Sequence, residues 1–198
     1  VLEGSGDRAD QVRRFTGRNR LDRRLLDGSV GVVFPVLHGP FGEDGTMQGL
    51  LEVLDLPYVG CDVTASAICM DKALTKRVLR QQGLATVDWE ELDRGAWARD
   101  RAAVGERCLE LGLPLFVKPC RLGSSVGISK VRTADQLGPA VDAALEHGER
   151  VVVERGLVAR EIEVAVLGGP EARASLPGEV VPGHEFYDYA DKYLDDAC

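Results

Sequence analysis

The first sustained apolar run of the chain is "VGVVFPVLHG", residues 30–39, where Val and Phe follow one another with little polar alternation until His38. A continuous Val-rich run of this kind is how a strand covered on both faces of a parallel sheet reads, so a buried parallel strand ending at His38 is predicted. Behind a Gly-Glu-Asp-Gly-Thr loop, Met47, Leu50, Leu51 and Leu54 recur at the i, i+3, i+4, i+7 spacing of one helical face. "PYVG" follows as a short strand. Residues 62–83, "DVTASAICMDKALTKRVLRQQG", read as a helical region with Gly83 placed to stop its last helix. A further helix is predicted from Trp97 to Leu111, burying Trp97, Val104, Cys108 and Leu111, with Gly112 ending it.

From Leu113 the period changes. "PLFVKP", "GISKV", "RVVVERG" and "EIEVAVLGG" alternate or run apolar over short lengths between turn residues, and one helix, "ADQLGPAVDAALEHG", is inserted behind a Thr133 cap. This stretch is predicted to be mainly antiparallel sheet with helices on one side. Pattern changes near Gly60 and Arg155 divide the chain into an N-terminal α/β part (1–60), a central α+β part (61–154) and a third part (155–198). Residues 1–29 are polar, rich in Arg and Gly, weakly periodic, and receive no assignment.

Composition narrows the functions available. No apolar stretch approaches the roughly 20 residues of a membrane helix, which predicts no membrane association. Lys+Arg 24 against Asp+Glu 32 leaves a net charge of −8, which argues against a general nucleic-acid binder, whose phosphate contacts need a basic face. The five cysteines show no C-x-x-C pair, so neither a disulfide framework nor a zinc site is indicated, and a reducing cytoplasm is the expected location. The chain begins with neither an initiator Met nor a signal peptide and reads as a fragment.

The chemistry is concentrated in "LFVKPCRLGSSVGISKV", residues 115–131. Gly123, Ser124, Ser125 and Gly127 offer backbone N–H groups that no bulky side chain shields, the material of a phosphate-binding nest, and Lys118 adds positive charge beside it. A strand lysine paired with a glycine loop is a general plan for holding nucleotide phosphates. A tight hairpin turn with a surface lysine nearby would be spelled the same way. No G-x-x-x-x-G-K-[ST] sequence is present, which argues against a P-loop. "GSSVG" matches the G-x-S-x-G nucleophile elbow with Ser125 as nucleophile, but an elbow must run straight into a helix, whereas "ISKV" alternates like a strand. Glu154 and Glu161 suit the hydrogen-bond donors of a nucleotide, adenine's amino group and the ribose hydroxyls, although two solvated charges at a strand edge would look alike. "EFYDYADKYLDD" supplies aromatics and a lysine able to close over a water-sensitive site, or else a Tyr-rich surface loop.

Five stretches together resemble the D-alanine–D-alanine ligase family of the ATP-grasp superfamily: "HGPFGEDGTMQGLLEVLDLPYVG", "SAICMDKALTK", "LPLFVKPCRLGSSVGISKV", "VVVERGLVAREIEVAVLGG" and "FYDYADKYLDD". They run from about Val30 to the C-terminus, and residues 1–29 show no match. The resemblance implies a partial ATP-grasp fold, α/β in its N-terminal part and α+β thereafter. It implies ATP-dependent phosphorylation of one D-alanine carboxylate and attack by the amino group of a second, giving a dipeptide for peptidoglycan. Lys72 and Lys118 would contact ATP phosphates, Glu154 the adenine amino group and Glu161 the ribose, with backbone at Arg155 and Leu157 completing the adenine clamp. His38, Ser124, Lys192 and Tyr193 would belong to the catalytic group and Glu43 and Ser125 to the substrate site, Lys192 and Tyr193 lying in a lid.

ATP with Mg2+ or Mn2+ is the implied cofactor set, no metal ligand is assigned within these residues, and a homodimer is the implied assembly. Cys120 and Leu122 stand where many relatives have Ser and Glu. The family's magnesium ligands and its phosphoryl-stabilising arginine are expected beyond Cys198, and its early glutamate is not found in residues 1–29, so this polypeptide alone is expected to show little ligase activity. Other ATP-grasp ligases, a D-alanyl-D-serine or D-lactate ligase, and an inactive nucleotide-binding fragment are the alternatives.

Overall fold

The structure, a computed structural model, describes residues 27–169 and 171–181. It divides into two compact units, one ending at Ala85 and the next beginning at Thr86.

In the first unit the predicted strand is reduced to a single parallel bridge. The Val33 N–H donates to the Pro57 carbonyl at 2.8 Å and Val33 accepts from Val59 N–H at 2.9 Å, bringing Val33 opposite Tyr58. Val32, Phe34 and Val36 are 59%, 72% and 65% exposed, so this run is not buried on both faces as its apolar pattern predicted. A strand of that kind needs a ladder on each edge and a helical layer on each face, and among the described residues only the short 57–59 stretch pairs with it. His38 is exposed.

Three helices follow: α1 (Thr46–Val53), α2 (Val63–Met70) and α3 (Lys72–Gln81). Leu51 of the predicted stripe is the buried member, and beside it Gln48 is buried with its side-chain amide donating to the Gly42 carbonyl at 3.1 Å. Aspartate starts the other two helices. The Asp62 carboxylate accepts from Ala65 N–H at 2.7 Å and Asp71 from Leu74 N–H at 3.1 Å, each satisfying a donor that a helix terminus leaves without an intrahelical partner.

The second unit is built on a four-stranded antiparallel sheet of order β1-β4-β2-β3, formed by β1 (Trp89–Asp93), β2 (Leu115–Pro119), β3 (Ser129–Val131) and β4 (Arg150–Arg155). Three of these strands are those the alternation predicted. β1, "WEELD", was not anticipated, because with Leu92 as its one buried residue its letters read as polar. The helix expected over 97–111 is two, α4 (Arg94–Arg99) and α5 (Arg101–Glu110). Asp100 breaks it at φ −153°, ψ 82°, where its carboxylate caps the Ala103 N–H at 3.0 Å; Asp93 caps Ala96 in the same way. An Asp that can take a backbone donor locally competes with helix continuation, and at this junction it wins.

A short 3-10 turn (Ala134–Gln136) leads into α6 (Leu137–Glu146), with the Gln136 side chain accepting from Arg132 N–H at 2.8 Å. The core lies between the sheet and these helices. It joins Leu115, Val117, Val131, Val151 and Val153 of the sheet to Trp97, Val104, Cys108, Val141, Ala144 and Leu145, and Leu111 packs partly buried against it. After β4 the chain forms two exposed ribbons, β5 (Glu161–Glu163) with β8 (Gly178–Val180) and β6 (Val166–Leu167) with β7 (Arg173–Ala174).

One polar cluster ties the three helices together. The indole N–H of buried Trp97 donates to Asp142 Oδ1 at 2.8 Å, Arg101 donates to both oxygens of that carboxylate at 2.8 Å, and its guanidinium lies 5.2 Å from the Trp97 ring centroid. The Trp97 N–H, helped by Arg101, holds the Asp142 carboxyl below its ordinary value of 3.8. Asp142→Ala should cost about 1 kcal/mol in urea unfolding at pH 7. Because the folded value is the lower one, the charge-dependent part of the contribution is present above the ordinary carboxylate value and is lost as pH falls through the folded value, so the gap between wild type and variant should narrow in strong acid.

Candidate active site

Strand alternation sets the site in the second unit. Residues 115, 117 and 119 of β2 point to the helices, so Phe116 and Lys118 point to the opposite face. The register places Phe116 opposite Glu154 and Lys118 opposite Val152 on β4, and Lys130 of β3 opposite Phe116. Diagonal neighbours on one face can meet through long side chains, and here they do: Lys118 Nζ donates to Glu154 Oε2 at 2.6 Å. The Lys118 and Glu154 side chains are 24% and 10% exposed, so the pair is largely withdrawn from water. Phe116 lies beside it, with the Lys118 and Lys130 ammonium groups 5.6 and 5.5 Å from its ring centroid. Arg150 and Glu91 form a second ion pair on this face.

β2 then runs through Pro119 and Cys120 into the Gly/Ser loop. Ser124 and Ser125 adopt left-handed backbone, φ 51° and 58°, a conformation that residues with a side chain seldom take. The turn is closed by Val126 N–H to the Gly123 carbonyl at 3.2 Å and Ile128 N–H to the Ser125 carbonyl at 3.3 Å. Gly127 is required twice over: its φ is +69°, and a Cβ there would stand 2.6 Å from His147 Cδ2 and 2.9 Å from Pro119 Cγ. At the other end of the sheet face the chain leaving β4 is pinned. Arg155 N–H donates to the Asp88 carbonyl at 3.1 Å and Gly156 N–H to the Pro114 carbonyl at 2.7 Å, the latter an approach that leaves no room for a Cβ. Leu157 is 60% exposed just beyond, and Glu161 opens β5, outside this sheet.

Lys118, Glu154, Ser124 and Ser125 are therefore carried by one sheet and the loop at its end, with Arg155 and Leu157 at the opposite end of its strands. In the first unit, Lys72 is the first residue of α3 and His38 is exposed. Glu43 accepts from Gly39 N–H, and neighbouring Asp44 accepts from Phe41 and Thr46 N–H at 3.0 Å each, so two consecutive carboxylates tie the Gly-rich loop to its own backbone. Partial burial pushes the Asp44 carboxyl up, but the hydrogen bonds from Phe41 and Thr46 outweigh it and hold the group below its ordinary value. Lys192 and Tyr193 lie outside the described residues. Phe116 and Lys130 escaped the sequence reading, although period-2 spacing from Lys118 already put Phe116 on its face.

The donor set fits a phosphate chain: the Lys118 ammonium on a sheltered face, next to a turn built from glycines and left-handed serines that can turn backbone N–H groups toward a ligand, and an aromatic ring beside it for a flat base. Among the described residues no group of three His, Cys, Asp or Glu side chains is placed to hold a metal ion. Among them, also, no helix is long and apolar enough to cross a membrane.

Residues 78–198 match the family model described as "D-ala D-ala ligase C-terminus", and residues 4–61 match "D-ala D-ala ligase N-terminus". The chain belongs to the D-alanine–D-alanine ligase family. The N-terminal match takes in residues 4–29, which the sequence reading left without a counterpart because their hydrophobic period is weak. A D-alanine–D-alanine ligase of Thermoanaerobacter sp. (strain X514) is 52% identical over 166 residues, 84% of this chain and 46% of the relative. Among solved structures, the D-alanine–D-alanine ligase of Coxiella burnetii matches at TM-score 0.71 with 47% identity, covering 76% of this chain and 44% of that one. The VanG D-Ala:D-Ser ligase of Enterococcus faecalis matches at TM-score 0.72 with 39% identity, covering 83% and 47%. The chain thus spans about half the length of the relatives it matches, and its fold is a partial ATP-grasp fold.

Cys108 provides a check on the packing that supports this face. Burial pushes its thiol up to about 11, with Glu90 adding to the shift, whereas Cys61 and Cys69 are exposed. Brief iodoacetamide treatment at pH 8, followed by peptide mass mapping, should label Cys61 and Cys69 and leave Cys108 unmodified until the protein is unfolded in urea.

Proposed function

We propose that this chain supplies the nucleotide-gripping part of an ATP-dependent ligase that joins two D-alanines into D-alanyl-D-alanine, a peptidoglycan precursor, in the cytoplasm. The observation that carries the reading is the 2.6 Å pair between Lys118 of β2 and Glu154 of β4, on the strand whose following loop holds the left-handed Ser124–Ser125 turn. Lys118 and the loop N–H groups meet the phosphates, with Lys72 as a second cation. The ring of Phe116 offers the base a flat surface. Glu154 accepts from the adenine amino group, backbone at Arg155 and Leu157 completes that clamp, and Glu161 accepts from the ribose hydroxyls.

His38 and Glu43 stand near the first D-alanine, Ser124 and Ser125 orient it, and Lys192 and Tyr193 belong to a lid that keeps water from the acylphosphate. A carboxylate oxygen of the first D-alanine bonds to the γ-phosphorus as ADP leaves. The amino group of the second then bonds to the acyl carbon, loses a proton, and expels phosphate. Nothing in this sequence needs a protein nucleophile, only placed positive charge, which accords with a strand lysine beside a phosphate loop. Mg2+ or Mn2+ would neutralise phosphate charge when bound. The working assembly is a homodimer, and the 198-residue polypeptide assayed alone turns over little substrate. D-serine as the second substrate is the alternative, supported by likeness to the D-Ala:D-Ser ligase.

Calorimetric titration of the chain with Mg-ATP, with and without D-alanine, tests the reading. Lys118→Ala should weaken ATP by about tenfold or more, the loss expected when a sheltered charge-assisted contact is removed. Because that variant removes the ammonium that pairs with the Glu154 carboxylate, a Lys118→Ala/Glu154→Gln double variant serves as the folded control. Unchanged ATP affinity in the folded double variant would refute the proposed site.

A further inference from the structure

The C-terminal end of α6 touches the loop at the end of β2, and the proposal concerns that contact. His147 caps α6, its N–H donating to the Ala144 carbonyl at 3.2 Å, and its ring lies over Gly127 so closely that a Cβ on Gly127 would be 2.6 Å from His147 Cδ2 and 3.3 Å from Cγ. Pro119, the last residue of β2, packs against the same side of this glycine, its Cγ 2.9 Å from where that Cβ would stand. The histidine ring and the proline therefore share one side of Gly127, where the chain returns from the left-handed Ser124–Ser125 turn.

The backbone that carries the ring is itself fixed. The Arg94 guanidinium donates to the Leu145 carbonyl and, at 3.3 Å, to the Gly148 carbonyl, and it pairs with Glu149 at 3.1 Å. Three contacts from one side chain thus hold the turn on both sides of His147. A loop with two residues in sparsely populated backbone conformations persists only where its surroundings over-determine it. Two hydrogen bonds inside this loop are long, 3.2 and 3.3 Å, and the His147 and Pro119 contacts on Gly127 add to them from outside.

We propose that His147 is a positioning residue of the Gly/Ser loop: its ring, braced through Arg94, presses on Gly127 and keeps the Ser124–Ser125 turn in its left-handed form. The ring acts by shape, not by charge. The consequence for ligand binding rests on the nucleotide reading above, because only a phosphate-bearing ligand would depend on the loop.

The test compares wild type, His147→Ala and His147→Phe as the full 198-residue chain. Amide exchange at Val126 and Ile128, which donate within the loop, is measured by NMR without ligand, and ATP and adenosine affinities by calorimetry. His147 is itself exposed, so in His147→Ala both amides should exchange about threefold faster and ATP should bind about threefold more weakly, the size of effect expected for a surface side chain, with adenosine affinity and thermal midpoint little changed. His147→Phe, which keeps a planar ring and removes the titratable nitrogens, should restore both exchange and ATP affinity. Unchanged exchange in His147→Ala, or failure of Phe to restore it, would overturn the proposal. If wild type binds neither ligand, the nucleotide reading fails while the exchange rates still decide the role of His147.

Discussion

An ammonium and a carboxylate 2.6 Å apart on the outer face of a four-stranded sheet are the interaction on which the rest of the site depends. Neither charge could rest there alone, because a sheltered charge without a partner is costly, and the antiparallel register of β2 on β4 is what supplies each with the other. A slip of one residue would turn Lys118 into the helical core and Leu115 and Val117 out of it. The hydrophobic packing of α6 on β2 and β4 therefore does two things at once: it buries the core and fixes which face Lys118 presents. Such a pair is weak support for stability, and its value here lies in holding one cation at one place.

From that fixed point the site extends in two directions along the sheet. Towards the end of β2 lies a turn that stores conformational strain in Ser124 and Ser125, held in place by the close seat of Gly127. Towards the end of β4 lies a segment tied to the rest of the unit by Arg155 and Gly156 N–H groups. Phe116 sits between, opposite Glu154. Under the proposed reading, this face would take a charged chain at the loop and a flat base beside Phe116.

Much of this was legible in the letters because the relevant signals are local. The alternation in "LFVKP" and "RVVVERG" fixes both strands, and with them the faces of Lys118 and Glu154. The Gly/Ser spelling of 123–127 announces a turn with exposed N–H groups. What stayed hidden is non-local or contested between local options. "WEELD" joins the sheet only because β4 offers it a partner, and the helix expected over 97–111 breaks where Asp100 takes a backbone N–H for itself. The run at 30–39 is as apolar as a buried strand, yet its pairing partners decide its burial, and those cannot be read from the run itself. The contact of His147 with Gly127 spans twenty residues and has no sequence signature at all.

The most direct test of the central claim, that the sheet face and its Gly/Ser loop form one phosphate-bearing ligand site, is a 15N–1H NMR titration of the chain with Mg-ADP. The amides of residues 116–118, 123–127 and 154–157 should move together with a single dissociation constant, while those of the β6–β7 ribbon stay in place. Movement confined to residues outside that sheet and loop, or separate constants for the loop and the β4 end, would contradict it.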